Sequence, residues 1–427
     1  MKHINIITLG CSKNLVDSEK MMGQLQHGPF RITHDADGPA DIVVINTCGF
    51  INDAKEESID TILQYANARK KGLVQEVIVT GCLSQRYKDT LKQEIPEADA
   101  WFGVHDPQDL FAYLRQKYSF ESQERVLSTP SHFAYLKIAE GCDRTCSFCA
   151  IPLIRGKYIS RTIESLTQEA KQLADQGVKE LLLIAQDLSY YGYDLEKRSM
   201  LAELLEELVK INGIEWIRLH YAYPRKFPFA VTGLMGREPR ICNYLDIPLQ
   251  HINDDILSSM RRNTDKASTL EMIRKIRAQV PGIALRTTML VGYPGETRKH
   301  FEELMEFVRE TRFERLGVFA YSAEEGTHAY ELKDSVSKAE KERRVEEIMS
   351  LQQSISLELN QEKIGKSFRV IIDREEQDYF VARTEYDSPE VDNEVLVEKE
   401  PELETGNFYQ VKITGASEFE LYGKLTE

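Results

Sequence analysis

The chain has 427 residues, of which 42% are hydrophobic and 29% charged, a balance typical of a globular protein with two to four domains. Its 69 acidic residues outnumber the 54 basic ones, and a chain with a net charge of −15 is a poor general binder of nucleic acid, because phosphate contacts need lysine and arginine. The amino terminus turns polar too early for a signal peptide, and no apolar run approaches the length of a membrane span. We therefore expect a cytoplasmic protein without a membrane segment, in which the seven cysteines are reduced ligands rather than disulfides.

The first 120 residues alternate short β-rich runs with helical patterns, which predicts a parallel α/β sheet. The predicted strands are residues 3–9, 41–46 and 76–80, and the helices that follow them are residues 14–24, 52–68 and 84–92. A cysteine follows each strand: Cys11, Cys48 and Cys82. Because side chains beyond the carboxyl ends of parallel strands converge on one crevice, we expect these three thiols to meet and to bind a metal group. The alternative is that each cysteine is a small, buried apolar residue.

A second set of three cysteines, Cys142, Cys146 and Cys149, has the spacing C-x3-C-x2-C and follows a predicted strand at residues 135–139. Thiolates are soft ligands that select zinc, copper(I) or iron–sulfur clusters. A structural zinc site and an all-cysteine cluster each need four ligands, so three ligands leave a metal position open for chemistry. The alternatives are an incomplete zinc knuckle or three unrelated thiols.

The middle of the chain contains six predicted strands with helices between them, at residues 135–139, 180–184, 214–219, 244–247, 283–290 and 316–320. Residues 160–164 are predicted to open a helix with a capping side chain. Six units are too few to close an eight-stranded barrel, so the pattern favours a partial (β/α)6 barrel that is open on one side. Cys242 has no partner motif and is predicted to be a packed or free thiol.

The end of the chain begins with a polar helix, residues 337–363, which we interpret as a connector. Five short predicted strands follow, at residues 367–372, 379–383, 394–398, 408–414 and 418–422, and favour a small OB-like barrel. Residues 361–427 carry 17 acidic and 8 basic side chains, a net charge of −9. Such a surface repels phosphate and attracts a basic partner. The alternative is a solvated acidic surface without a partner.

The C-x3-C-x2-C segment, which contains Phe148 in C-x-F-C, resembles the corresponding segment of the radical S-adenosylmethionine (SAM) enzymes. The resemblance implies that Cys142, Cys146 and Cys149 hold a [4Fe-4S] cluster whose open iron chelates SAM and that Phe148 lies at the cofactor. It also implies three further SAM neighbours: Gln186, Arg286 and Gly292. The alternative for these three residues is an ordinary structural role in strand ends and loops.

An α/β domain with three cysteines ahead of such a core resembles the methylthiotransferases, whose amino-terminal cluster motifs match residues 9–14, 46–51 and 80–83. The resemblance implies that Cys11, Cys48 and Cys82 hold an auxiliary [4Fe-4S] cluster that supplies or carries sulfur. It further implies a flavodoxin-like amino-terminal domain in residues 1–120, a radical SAM core in residues 128–358 and an all-β TRAM domain in residues 361–427.

Four stretches are similar to the branch of this family that modifies a protein rather than tRNA: residues 149–156, 185–194, 321–327 and 387–392. Leu188 and Asn393 depart from the patterns of that branch. The implied substrate is an aspartate of the basic small-subunit ribosomal protein S12, docked by the acidic TRAM domain, so tRNA is an unexpected partner. The sulfur donor and the electron donor are not identified by the sequence.

By resemblance, a 5′-deoxyadenosyl radical abstracts a hydrogen atom from the β-carbon of the aspartate, the auxiliary cluster provides sulfur and a second SAM provides the methyl group. One alternative is the relative that modifies an adenosine of tRNA, which would be expected to have a basic carboxyl-terminal barrel. A second alternative is a non-catalytic iron–sulfur protein, which leaves the six-stranded core without a purpose.

Overall fold

The computed structural model describes residues 1–119 and 122–426 and contains three main sheets. The first is a five-stranded parallel sheet with the order β2-β1-β3-β4-β5, the order of flavodoxin-like folds. Its strands are β1 (Lys2–Thr8), β2 (Phe30–His34), β3 (Ile42–Thr47), β4 (Glu76–Gly81) and β5 (Ala100–Trp101). Its helices are α1 (Ser12–Leu25), α2 (Asn52–Lys70), α3 (Cys82–Glu94) and α4 (Pro107–Tyr113). The three predicted strands are confirmed, whereas the edge strands β2 and β5 were not predicted.

The second sheet has six parallel strands in the order β13-β12-β11-β10-β9-β6 and is open between its first and last strands, as predicted for a partial barrel. Its strands are β6 (Phe133–Lys137), β9 (Glu180–Ile184), β10 (Trp216–Leu219), β11 (Ile241–Asp246), β12 (Ala284–Val291) and β13 (Arg315–Ala320). A short antiparallel pair, β7 (Ala139–Glu140) and β8 (Ile159–Ser160), flanks the loop that carries the second cysteine set.

The helices of this core are α5 (Ile151–Arg155), α6 (Ile163–Asp175), α7 (Tyr193–Glu196), α8 (Leu201–Leu208), α9 (Phe229–Met235), α10 (Asp254–Ser259), α11 (Lys266–Gln279), α12 (Arg298–Thr311) and α13 (Lys338–Gln361). The predicted cap of α6 is confirmed, because the Thr162 side chain accepts a hydrogen bond from the Ser165 amide. The helix interpreted as a connector, α13, does more than connect: it buries Ile348 and Ile355 in the main apolar core. None of the helices in the described residues is both long enough and apolar enough to cross a membrane.

The third sheet is a closed five-stranded barrel in the order β14-β15-β16-β18-β17, which confirms the predicted small barrel. Its strands are β14 (Ser367–Glu375), β15 (Tyr379–Thr384), β16 (Glu394–Glu398), β17 (Phe408–Ala416) and β18 (Glu420–Leu425). It covers the end of the six-stranded sheet at which the strands begin: Ile371 packs in one buried cluster with Trp216, Cys242 and Tyr244. Cys242 is thus a packed thiol, as predicted, and the cysteine sets lie at the opposite end of the sheet.

Candidate active site

The first cysteine set lies at the carboxyl ends of three adjacent strands, β1, β3 and β4. Cys11 precedes α1, Cys48 follows β3, and Cys82 begins α3. Gly10 has φ +89°, and a Cβ atom there would come within 2.7 Å of the Cys48 Sγ. Glycine is therefore required where the β1 loop passes Cys48. Strand order brings together three thiols that are far apart in sequence.

Arg155, the last residue of α5, reaches this first set from the core. Its Nη2 donates to the Cys82 Sγ at 3.3 Å and to the Asn14 side-chain oxygen, and its Nη1 donates to Asp17 at 2.7 Å. Burial raises the pKa of the Cys82 thiol to about 11 and also raises that of Cys48, while Arg155 acts in the opposite direction on both. A buried cation therefore faces the first set of thiols, at a contact that the sequence analysis did not predict.

The second cysteine set lies in the loop between β7 and α5. The Cys142 amide donates to the Gly156 carbonyl at 3.0 Å, and the Cys149 amide donates to the Cys146 carbonyl at 3.2 Å, which folds the loop back on itself. Two donors point at the sulfur atoms: the Arg144 amide lies 3.4 Å from the Cys142 Sγ, and the Arg262 Nη1 lies 3.4 Å from the Cys146 Sγ. Such donors are the contacts that tune thiolate-bound clusters.

Burial raises the pKa of Cys142 to about 12 and that of Cys149 further. Buried thiols of this kind lose their protons when a metal binds them. No three His, Cys, Asp or Glu side chains within residues 1–119 and 122–426 surround the position of a single metal ion. A four-iron cluster binds each cysteine through a different iron atom, so its ligands lie further apart than those of one ion. Three thiols on a loop, with N–H donors to their sulfurs, fit such a group.

The two sets are neighbours in space. Cys82 of the first set packs in one buried cluster with Ala150 and Ile154, which directly follow the second set in sequence. Helix α5 therefore begins beside Cys149 and ends with Arg155 against Cys82. The sequence analysis predicted each set separately, and their proximity follows from how the first sheet packs on the core.

The four predicted SAM neighbours do not share one environment. Phe148 packs against the cluster that contains Leu290 and Tyr293, two residues that flank Gly292 in sequence. Gly292 has φ +73° and donates its amide to the Glu296 carboxylate. Gln186 donates to Glu140 at 2.9 Å and leaves its buried side-chain oxygen without a described partner.

Arg286, the fourth predicted neighbour, is engaged by carboxylates of the core and of the small barrel. It is shared between Asp246, at 3.6 Å, and Asp392 of the small barrel, at 3.3 Å. Asp246 is fully buried, and burial raises its pKa to about 6. The sequence analysis did not predict the polar interior formed by Asp246, Arg286 and the nearby Tyr221 and Lys13. The charged residue Asp246 near the end of a predicted strand could have indicated it.

Two of the stretches that resemble the protein-modifying branch join parts of the chain. Glu324 is buried and accepts from Lys55 at 2.9 Å and from Arg86 at 2.8 Å, which ties the loop after β13 to α2 and α3. Asp387 is buried against Arg315 of β13 at 3.0 Å. Asp392 accepts from Tyr244 at 2.8 Å. These carboxylates are internal, so they do not form part of the exposed acidic surface.

Three family models match successive parts of the chain: the uncharacterized protein family UPF0004 at residues 3–103, the radical SAM superfamily at residues 136–308 and the TRAM domain at residues 364–426. Among solved structures, the radical S-adenosylmethionine methyltransferase TsrM of Kitasatospora setae matches with a TM-score of 0.56 and 14% identity, over 74% of this chain and 73% of that chain. At this identity the likeness concerns the fold alone. The fold and the matched models define the chain as a radical SAM enzyme.

The curated relatives narrow this class. The chain is 57% identical to ribosomal protein uS12 methylthiotransferase RimO of Christiangramia forsetii, over 99% of this chain and 94% of the relative. It is 58% identical to the RimO of Flavobacterium johnsoniae, over 99% and 97%, and 54% identical to that of Phocaeicola vulgatus, over 99% of both. The chain belongs to the RimO family and is a radical SAM methylthiotransferase.

Proposed function

We propose that this enzyme attaches a methylthio group to the β-carbon of an aspartate in ribosomal protein uS12. The observation that carries the proposal is the proximity of two separate three-cysteine sets at one end of the barrel, joined by helix α5. One set suits the activation of SAM and the other suits the delivery of sulfur. The proposal assigns residues 1–120 to the sulfur-delivering domain, residues 128–358 to the radical SAM core and residues 361–427 to the TRAM domain.

Each set would hold one [4Fe-4S] cluster: Cys11, Cys48 and Cys82 the auxiliary cluster, and Cys142, Cys146 and Cys149 the radical SAM cluster. When bound, the radical SAM cluster supplies the electron that cleaves SAM and the auxiliary cluster supplies sulfur, with a second SAM as the methyl source. In the proposal, Phe148 and Gln186 line the SAM site with the turn at Gly292, while Arg286 serves the polar interior beneath it. Arg262 donates to the Cys146 sulfur at the radical SAM cluster, and Arg155 donates to the Cys82 sulfur at the auxiliary cluster.

The proposed substrate is a basic protein, and the enzyme offers it an acidic surface. Residues 361–427 carry 17 acidic and 8 basic side chains. Asp373, Asp387 and Asp392 are paired inside the molecule, so docking falls to the exposed carboxylates of this domain, such as Glu398, Glu400 and Glu402. The same charge disfavours tRNA, because the phosphate backbone needs cations. A ribosomal substrate also implies an enzyme that works in the cytoplasm.

The test is to incubate anaerobically reconstituted protein with SAM, reductant and sulfide, and to add either a peptide of the target loop of uS12 or unmodified tRNA. Mass spectrometry then measures the added SCH3 group. We expect modified peptide from the wild type and from Cys242→Ala, whose cysteine lies outside both sets, and none from Cys142→Ala. Modified tRNA with untouched peptide would overturn the proposal in favour of the tRNA-modifying relative. A cluster-loaded protein that releases no 5′-deoxyadenosine would refute the proposed role of Cys142, Cys146 and Cys149.

A further inference from the structure

Lys13 places a lysine ammonium in the polar interior, directly beside the first cysteine set. It is the second residue of α1 and lies two positions after Cys11. Its Nζ is 3.3 Å from the centre of the Tyr221 ring, a cation–π contact that joins the first sheet to the core. In the described part of the chain it has no hydrogen-bonded or ionic partner, whereas most other inward-facing cations are paired with carboxylates.

Tyr221 is held in an uncommon conformation beneath this ammonium. It follows β10 and has φ +64°, in the left-handed region that non-glycine residues rarely adopt. Backbone strain of this kind persists where the surrounding structure imposes it, often at sites of function. The Tyr221 ring that contacts Lys13 is therefore set by this backbone conformation.

Among the described residues, no carboxylate is paired with Lys13, so its ammonium is available to an anion. Arg286 is already shared by Asp246 and Asp392. His220, also in this interior, is held neutral, because burial and the nearby Arg218 and Arg286 lower its pKa well below its usual value. The Asp246 carboxylate is fully buried 3.6 Å from Arg286, so the wall that it forms is unsuited to a second carboxylate.

We propose that Lys13 binds the side-chain carboxylate of the substrate aspartate and thereby selects aspartate over asparagine. This inference rests on the proposed function. The reacting β-carbon is one bond from the carboxylate carbon, so a group that holds the carboxylate must lie close to the sulfur-delivering set. Lys13, two residues from Cys11, meets this requirement. An ammonium presents three donors to a carboxylate, and charge-assisted hydrogen bonds of this kind are the strong ones.

The test compares wild type, Lys13→Gln, Lys13→Arg and, as a matched control, Lys92→Gln, which changes an exposed lysine of the same domain. Each protein is titrated with two fluorescent uS12 loop peptides that differ only in aspartate or asparagine at the target position. Anisotropy reports binding to both the cluster-free and the reconstituted protein. Iron content and 5′-deoxyadenosine released without peptide are measured in parallel.

We expect wild type and Lys92→Gln to prefer the aspartate peptide by about 10- to 100-fold, the value of one hydrogen bond to a charged group. Lys13→Gln should lose this preference by weakening only the aspartate peptide, with iron content unchanged, and Lys13→Arg should restore part of it. Equal weakening of both peptides, or a loss of iron, would overturn the proposal and make Lys13 a structural anchor. Binding preference is measured without turnover, so it tests Lys13 even if the wild type modifies neither peptide, a result that would count against the proposed function instead.

Discussion

Glu180, the first residue of β9, is a fully buried carboxylate between two buried guanidinium groups. Its Oε1 accepts from the Arg218 Nε at 2.7 Å, and its Oε2 accepts from the Arg383 Nη2 at 2.8 Å. Arg383 belongs to the small barrel, so this carboxylate joins the barrel to the core. Burial alone would raise the pKa of Glu180, but Arg383 and Arg218 hold it below its usual value.

The substitution Glu180→Gln keeps the shape of the side chain and removes its charge. Arg383 would keep the Asp373 carboxylate, at 2.6 Å, whereas Arg218 would lose its carboxylate partner and keep neutral contacts such as the backbone oxygens of Thr384 and Glu385. Removing one partner from a buried ion pair costs about 3–5 kcal/mol, because the remaining charge is buried without compensation. We expect a loss of this size in the free energy that holds the small barrel on the core.

The natural reporter is Trp216, whose ring centre lies 4.8 Å from that of Phe408 across this interface. In a Trp101→Phe background it is the sole tryptophan, so its fluorescence in urea follows the separation of the two parts. The matched control is Glu206→Gln, which removes a surface carboxylate 3.5 Å from Arg237, where both side chains are at least half exposed. Such a pair contributes about 0–1 kcal/mol. Equal shifts of the urea midpoint for Glu180→Gln and Glu206→Gln would refute the reasoning.

Two further predictions concern the ends of the barrel. The raised pKa of Asp246 means that its contribution to stability is present below about pH 4 and is lost as pH rises through about 6. The free energy of unfolding of Asp246→Asn, measured by denaturation across this window, should therefore rise by roughly 3 kcal/mol relative to that of the wild type by pH 7.5. The same pH dependence of stability in both proteins would contradict this prediction. Glu324→Gln should weaken the contact of α2 and α3 with the core by about 3 kcal/mol, because it leaves the buried Arg86 side chain and the half-buried Lys55 without their carboxylate. Hydrogen exchange should then rise in α2 of the Glu324→Gln variant but stay unchanged in α2 of Glu325→Gln, whose replaced side chain is exposed. Unchanged exchange in both variants would contradict a role of the Glu324 carboxylate in holding α2 and α3 on the core.

The sequence was sufficient for most of the central strands and for the positions of both cysteine sets at strand ends, for physical reasons. Strand β3 is a continuous apolar run buried on both faces, which is how parallel strands are recognised. Parallel order then implied that Cys11, Cys48 and Cys82 would meet. Edge strand β2 was missed because it is only five residues long and mostly half-exposed, so the alternation of Phe30 and Ile32 with polar residues covers too few positions to indicate a strand.

The contacts between separate parts of the chain could not be predicted, because no local pattern encodes them. Arg155 was noted only as part of a motif, yet it reaches Cys82, 73 positions away in sequence. Asp387 and Asp392 were counted with the acidic surface, although they are paired with Arg315 and Arg286 inside the molecule. Composition gives the number of charges, and only the packed structure shows which of them remain exposed.

The most direct test of the central claim, two cluster sites at one end of the barrel, is iron content with electron paramagnetic resonance on anaerobically reconstituted variants. One variant replaces Cys11, Cys48 and Cys82 by alanine, a second replaces Cys142, Cys146 and Cys149, and Cys242→Ala is the control. We predict that each triple variant retains about half of the wild-type iron with the signal of the remaining cluster, and that the control retains all of it. A triple variant that keeps its fold by circular dichroism but loses all of its iron, or loses none, would contradict the claim of two separate sites.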